Sequence, residues 1–304
     1  GFSSILAFFS TNFENNSWQQ WELLPFAFIG LYSGIVSVVF IFTVARVAFW
    51  RRKYRFFASM RYSFVAIVTT LTALVTFPLP FMSNGQTDQI VGLFAEGYLT
   101  MEWQTLPGGI FTSLILFVLL KLPLTILAIV LPIPCGLFTP VFAIGAALGR
   151  LFGEIVALLA PTQMITPGGY AVVGAAALAG GVTRTISTAV IVFELTGQLQ
   201  HMLPILLAVL ISIGVANLFT INVYDTILRV RGLPYLLRLS ASSYGLVASD
   251  IMRTDLVVLP QVTTYLEMRR MLLEYDTFQA FPIVEGGETQ TPTLKGALSR
   301  TVMH

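Results

Sequence analysis

The residues best placed to do chemistry lie in the stretch 131–154, LPIPCGLFTPVFAIGAALGRLFGE, where prolines and a glycine interrupt an otherwise apolar, membrane-length run. Non-helical chain at membrane depth is tolerated only inside protein or against a watery cavity, because hydrocarbon offers no partner to a bare N–H or C=O. Pro132 and Pro134 end whatever helix precedes them, and Gly136 frees the turn. Pro140 suits the first position of a new helix running from Val141 through Ala147 towards Glu154. The amides of Gly136, Leu137, Phe138 and Thr139 would then face one small space at the positive end of a helix dipole, a place that attracts an anion. The same pattern also suits a simple kink or a short re-entrant turn, since proline and glycine are frequent in membrane helices.

The elements that must position this break are read from composition and hydropathy. Of 304 residues 56% are hydrophobic and 11% charged, with mean hydropathy +0.81, against about 25% charged in soluble domains. A polytopic, all-α membrane protein is expected. A net charge of +2 argues against a nucleic-acid partner, and the placement of the cations carries more information than their sum. Cys135 is the single cysteine, which excludes an internal disulfide and a multi-cysteine metal site; it reads as a small buried apolar residue.

Residues 1–10 are apolar, lack the basic flank of a signal peptide and read as the end of a helix. Residues 11–22 are polar and aromatic, with an Asn15-Asn16-Ser17 sequon. Residues 23–45 carry no charge and are long enough to cross a hydrocarbon core of about 30 Å. Arg46, Arg51, Arg52, Lys53, Arg55 and Arg61 follow without an acid among them, which places this loop in the cytoplasm. Residues 62–82 make the return crossing, broken near the end by Pro78 and Pro80. The loop 83–105 carries Asp88, Glu96 and Glu102 and no cation; it reads as an external, solvated face. Five apolar pieces follow, 106–130, the broken stretch, 170–182, 185–197 and 202–222. The third and fourth are too short to span alone and need neighbours to cover their ends. Small residues from Gly174 to Gly181 allow close helix approach. Arg150 and Glu154 stand four apart and pair on one helix face, Glu194 calls for a cap from nearby threonines or helix ends, and His201 reads as a helix-start residue. Short, interrupted segments around a midplane site are the pattern of channel and transporter folds built from repeats.

These residues resemble a known family. PIPCGLFTPVFAIGAALGRLFGE, TPGGYAVVGAAALAGGVTRTISTAVIVFELTGQLQHMLPILLAVLI and VYDTILRVRGLPYL look like the second half of a CLC-family anion channel or transporter, in unbroken order over about residues 24–236. The PCGLFTPVF wording is more similar to the plasma-membrane chloride channels than to the intracellular chloride/proton exchangers. The resemblance implies an inverted-repeat fold with broken and re-entrant helices over residues 1–236. It places the family's GxFxP filter on Gly136, Leu137, Phe138, Thr139 and Pro140, and the filter tyrosine on Tyr224, whose phenol would donate to a central chloride. Arg229 and Arg231 would line an inner vestibule, although the basic pair expected before LPYL reads Arg231-Gly232 here. The family's serine loop and gating-glutamate loop occur nowhere in the chain, so part of a pore is expected, completed by the missing first half of the same subunit. Homodimers with one pore per subunit follow from the resemblance, with 185–193 and 203–216 as candidate interfaces.

After Leu236 the charge density rises, and residues 237–304 read as strand, helix and strands: DIMRTDLVVL, TTYLEMRRMLLEY, QAFPIV and LKGALSRTV. Leu266, Met268, Met271, Leu272 and Leu273 suit an amphipathic helix, and Glu285-Gly286-Gly287-Glu288 a hairpin turn. The order resembles the first motif of a cytoplasmic CBS domain, a partial α/β domain whose nucleotide site would need a second motif. The combined expectation is a gated, passive chloride channel subunit in the plasma membrane, with chloride its ligand, lipid its surroundings and no metal. A chloride/proton antiporter of the same fold is the alternative. A membrane enzyme has no support, since His201 and His304 are the only histidines and no catalytic constellation is present.

Overall fold

A computed structural model describes residues 9, 18–53, 61–97, 99–161, 165–197, 200–233, 245, 247–252, 256–275, 278–285 and 293–300. The expected helix end at residues 1–10, Phe9 apart, and the sequon lie outside the described residues, as do Gly286, Gly287 and Glu288 of the expected turn. The chain forms two compact units, Gly1–Tyr235 and Leu236–His304.

The first unit is helical. Its helices are α1 (Leu23–Lys53), α2 (Arg61–Thr76), the one-turn α3 (Pro80–Ser83), α4 (Gln86–Phe94), α5 (Gly109–Val130), α6 (Phe138–Leu159), α7 (Pro167–Thr183), α8 (Ser187–Thr196), α9 (Met202–Phe219) and α10 (Val223–Arg231). Among the described residues four helical stretches, 20–53, 109–130, 138–159 and 202–231, are long and apolar enough to cross a membrane. Three expectations change. Residues 46–53 continue α1 and form no loop, because nothing there breaks a helix and the cations lie at its negative end. The return crossing is split into α2 and α3 by Pro78 and Pro80. The loop 83–105 contains α4 and a 3-10 turn, Met101–Gln104.

Helix contacts are set by small residues. In α1 the buried positions Phe26, Gly30, Ser33, Ser37, Phe40 and Val44 recur every three or four residues and form one face. A Cβ built on Gly30 would lie 2.7 Å from the Ala208 carbonyl oxygen of α9. The other face of α1 is no less apolar, with Phe28, Ile35, Val39 and Phe42 exposed. Size and not polarity therefore marks which side packs, as expected where the solvent is itself apolar. The tightest crossing joins α6 to α7, every residue of which from Gly168 to Thr183 is buried. Gly145, Gly149 and Gly153 of α6 meet the backbone of Gly174, Tyr170 and Pro167.

Charges inside this unit mostly hold backbone. Arg150, buried, pairs with Glu154 at 2.9 Å and donates to the carbonyls of Leu93, Ala95 and Gly97, which pins the segment after α4 to α6. Arg184, in the left-handed region at φ 60°, donates to Ala216 O at 2.6 Å and Thr220 Oγ1 at 2.6 Å, tying the end of α7 to that of α9. Glu22 is buried and accepts from the Tyr170 hydroxyl at 2.8 Å. Glu194 stands exposed on α8. The nearby Thr196 hydroxyl donates to Val192 O at 2.7 Å. His201 is the N-cap of α9.

The second unit contains α11 (Ala248–Ile251), β1 (Leu259–Pro260), α12 (Tyr265–Glu274), β2 (Ala280–Glu285) and β3 (Thr293–Ser299). DIM lies in and just after a helical turn, and among the described residues of that stretch Leu259 alone is in strand, joined by Pro260 just beyond it in β1. β1 pairs parallel with β2, and β2 antiparallel with β3. Leu259, Leu272 and Phe281 form the core, while Leu266 and Leu273 are exposed, so α12 buries a narrower stripe than its sequence suggests. A capping box opens α12: Thr264 Oγ1 accepts from Glu267 N at 3.4 Å, and Thr264 N donates to Glu267 Oε2 at 3.1 Å. Arg300 closes its far end by donating to Leu272 O at 2.9 Å and Tyr275 O at 3.0 Å.

Candidate anion-binding site

α5 stops at Val130 with Leu131 extended, as the residue before a proline must tend to be. Residues 131–137 run without regular structure, and α6 begins at Phe138. The helix therefore starts two residues before Pro140. Pro140 becomes its third residue, where the missing N–H is one that no intrahelical carbonyl could have reached. The same end effect leaves the Phe138 and Thr139 amides without a carbonyl four residues back, while Val141 N closes on Leu137 O at 3.4 Å.

Two positions behave differently from the sequence reading. Gly136 is not among the positive-φ residues, and a Cβ built on it meets nothing within 4 Å. The turn does not need its conformational freedom; the glycine borders open space. Cys135, expected to be buried, is exposed, because the chain on both sides of it is peeled away from the helices.

Two cavities flank the break. The wider, about 770 Å³, is walled by Pro134, Cys135 and Leu137 together with Arg51 of α1 and Tyr224 and Arg231 of α10. The narrower, about 140 Å³, is walled by Cys135, Gly136 and Pro140 together with Lys121 of α5 and Thr72 and Thr76 of α2. Ile129 and Cys135 line both, which makes the break the partition between them. Among the described residues, every charged side chain lining either cavity is cationic.

The expected site residues are thus divided. Leu137, Tyr224 and Arg231 share the wide cavity, and Gly136 and Pro140 the narrow one. Phe138 and Thr139 line neither of the two; Phe138 is half-buried and stacks on Phe142, ring centres 5.5 Å apart. Arg229 lines a different cavity, with Ile41, Asn217 and Thr226. Residues seven apart share a helix face and residues five apart do not, so Arg231 follows Tyr224 and Arg229 turns away.

Local structure holds Tyr224 in place. Asn222 caps α10, its Oδ1 accepting from Asp225 N at 2.6 Å, and Tyr224 is half exposed on the first turn. The other end of α10 closes on Gly232 at φ 69°, with Gly232 N donating to Arg229 O and Leu233 N to Leu228 O, both at 3.1 Å. A glycine after Arg231 therefore has a local cause, since a basic side chain there would be strained.

Two cations of the site were not anticipated. Arg51 was assigned to a loop, and Lys121 was noted only as a charge within an apolar segment, which is itself a functional signal. Lys121 Nζ donates to Gln89 Oε1 at 3.1 Å and lies 5.6 Å from the Phe117 ring centre. Gln89 is in turn held by the carbonyls of Met82 and Asn84. The set can hold a small anion by dipoles and a hydroxyl at a neutral partition, with a cation on either side.

Comparison with known proteins agrees with this chemistry. The profile of the "Voltage gated chloride channel" family matches residues 2–217. Rabbit chloride channel protein 2 is 37% identical over 333 aligned positions, covering 98% of this chain and 37% of the relative. Mouse chloride channel protein 1 is 36% identical, covering 98% of this chain and 33% of the relative. The chain thus spans little more than a third of the length of these relatives. Among solved structures, a eukaryotic CLC transporter is 30% identical with TM-score 0.66, over 94% of this chain and 49% of that one. A cyanobacterial Cl⁻/H⁺ antiporter, 21% identical with TM-score 0.59 over 73% of this chain and 49% of that one, shows the same fold. All of these are named as channels or transporters and none as an enzyme. A broken apolar helix between two cationic cavities, on a helical scaffold with this family's sequence along most of its membrane unit, makes the chain a member of the CLC family of voltage-gated chloride channels and transporters.

Proposed function

We propose that residues 1–236 form the second half of the membrane domain of a gated, passive chloride channel, and residues 237–304 the first motif of a CBS domain. Chloride is held where the break parts the two cavities, by the backbone N–H groups of Gly136, Leu137, Phe138 and Thr139, with Pro140 closing the segment without a donor of its own, and by the Tyr224 hydroxyl. The observation that carries this reading is the partition itself: a neutral, amide-bearing wall shared by two cavities that, among the described residues, are charged by Lys121 on one side and Arg51 and Arg231 on the other. Conduction needs binding strong enough to replace hydration and weak enough to release; dipoles at the narrowest point and full charges outside it meet both needs. The first half of the same subunit completes the pore, and two copies associate through the apolar surfaces of α8 and α9, where Val190, Ile191, Leu203 and Leu210 are exposed. The cations at the end of α1 favour a cytoplasmic side for that end and for the second unit, in the plasma membrane. Chloride is the ligand; a nucleotide would need the second CBS motif.

The test is chloride binding to the chain and chloride flux through vesicles holding the assembled pore. Tyr224→Phe should keep the fold and weaken chloride binding about fivefold, the worth of one hydrogen bond of about 1 kcal/mol. Absence of saturable binding, together with unaltered flux in the variant, would remove the site. A second reading is chloride/proton exchange on the same fold; the 30% identical structure is named a transporter and not a channel. A reversal potential that moves with pH would establish exchange in place of the channel.

A further inference from the structure

A further cavity adjoins the wide one and shares Arg51, Ile129, Pro132, Ile227 and Arg231 with it. It has a volume of about 300 Å³ and is lined by Arg51, Arg52 and Arg231 and otherwise by apolar side chains, among them Val44, Ile129 and Ile227. The three guanidiniums come from helix ends that the sequence separates by almost 180 positions. Packing joins them: Arg52 Nη1 donates to Val230 O of α10 at 2.8 Å, and Arg51 Nη1 donates to Val130 O of α5. The carbonyl ends of α5 and α10 bring about half a negative charge each, which three full positive charges outweigh. The cavity therefore has an apolar interior and a cationic rim.

We propose that this cavity binds an anionic phospholipid, its phosphate on Arg52 and Arg231 and the start of an acyl chain against Val44, Ile129 and Ile227. Guanidinium groups suit the task because their forked donors match two phosphate oxygens at once. Arg52, which spends one donor on the Val230 carbonyl, has four more. A lipid is favoured over a soluble phosphate by the position of the rim. It stands at the end of α1, directly after the exposed Phe49 and Trp50, and aromatic side chains followed by arginines mark the head-group level of a membrane helix. Because Arg51 and Arg231 also wall the wide cavity, a bound lipid would sit beside the anion path. Arg52 lines this cavity and not the wide one.

The experiment measures binding of three soluble probes to the full chain in detergent: dioctanoyl phosphatidic acid, dioctanoyl phosphatidylcholine and glycerol 3-phosphate. Phosphatidic acid should bind saturably with one molecule per chain, and each of the other two at least tenfold more weakly. Arg52→Gln with Arg231→Gln should weaken phosphatidic acid about fivefold per arginine removed, and Arg52→Lys with Arg231→Lys should lose much less. Equal binding of glycerol 3-phosphate would make this a free-phosphate site, and equal binding of phosphatidylcholine a merely greasy one; either overturns the proposal. So does a glutamine pair that binds like the parent. The three probes compared on the unaltered chain decide the matter even if a variant fails to fold.

Discussion

Replacing Gly149 by alanine tests the scaffold at the crossing on which the break depends. A Cβ at Gly149 would stand 2.2 Å from the Tyr170 carbonyl oxygen and 3.0 Å from the Cα atoms of Ala171 and Gly174. Non-bonded heavy atoms settle at about 3.5 Å, so α6 and α7 must part by about 1.3 Å. Neither partner can swing aside, since the obstructing atoms are main chain. The separation also opens the neighbouring contacts, where a Cβ built on Gly145 would lie 2.6 Å from Gly174 O and one built on Gly153 2.8 Å from Tyr170 Cβ. Overpacking costs about 1–3 kcal/mol, and a clash against rigid backbone on a fully buried helix belongs at the upper end. At about 2–4 °C per kcal/mol for a unit of this size, the midpoint of thermal unfolding should fall by about 6–12 °C. Tryptophan fluorescence of the full chain in detergent reads it. Gly214→Ala is the control, because a Cβ there meets nothing within 4 Å and alanine favours a helix interior by about 1 kcal/mol over glycine. An unchanged midpoint in Gly149→Ala would refute the claim that backbone contact at this glycine sets the spacing of α6 and α7.

Further outcomes follow from other contacts. Arg150→Met strands the Glu154 carboxylate and three carbonyls, and breaking a buried pair costs about 3–5 kcal/mol; hydrogen exchange over residues 86–97 should rise sharply, and unchanged protection would show that Arg150 does not hold that segment. A water-soluble maleimide should label Cys135 in the folded chain, since the thiol is exposed, whereas labelling only after unfolding would return it to the core. In the second unit, the backbone N–H of Thr264, followed by the hydroxyls of Thr264 and Thr263, holds the Glu267 carboxyl below its ordinary value of 4.5. A lowered folded value means stabilisation present above 4.5 and lost as pH falls through the lower folded value. Protection of α12 against pepsin should therefore fall with pH below 4.5 in the parent and stay flat in Glu267→Gln; matching profiles would contradict this.

Much of the scaffold is legible along the chain because membrane helices obey local rules. Uncharged runs of sufficient length, prolines that stop helices and glycines spaced by four announce themselves without knowledge of any partner. The break after Val130 belongs to this class, as does the pairing of Arg150 with Glu154, since both depend on neighbours within one turn or two. What the chain order could not supply was proximity. That Leu137 shares a cavity with Tyr224, that Lys121 shares one with Gly136, and that Arg52 reaches across to α10 are consequences of how α1, α5, α6 and α10 pack. Sequence spacing says nothing of contacts between residues dozens or hundreds of positions apart. Polarity misled in the same places: Arg51 read as loop because it is charged, and Cys135 as core because it is apolar. Exposure at a helix break is set by which neighbours the backbone has left, a property of the assembled fold and of no single residue.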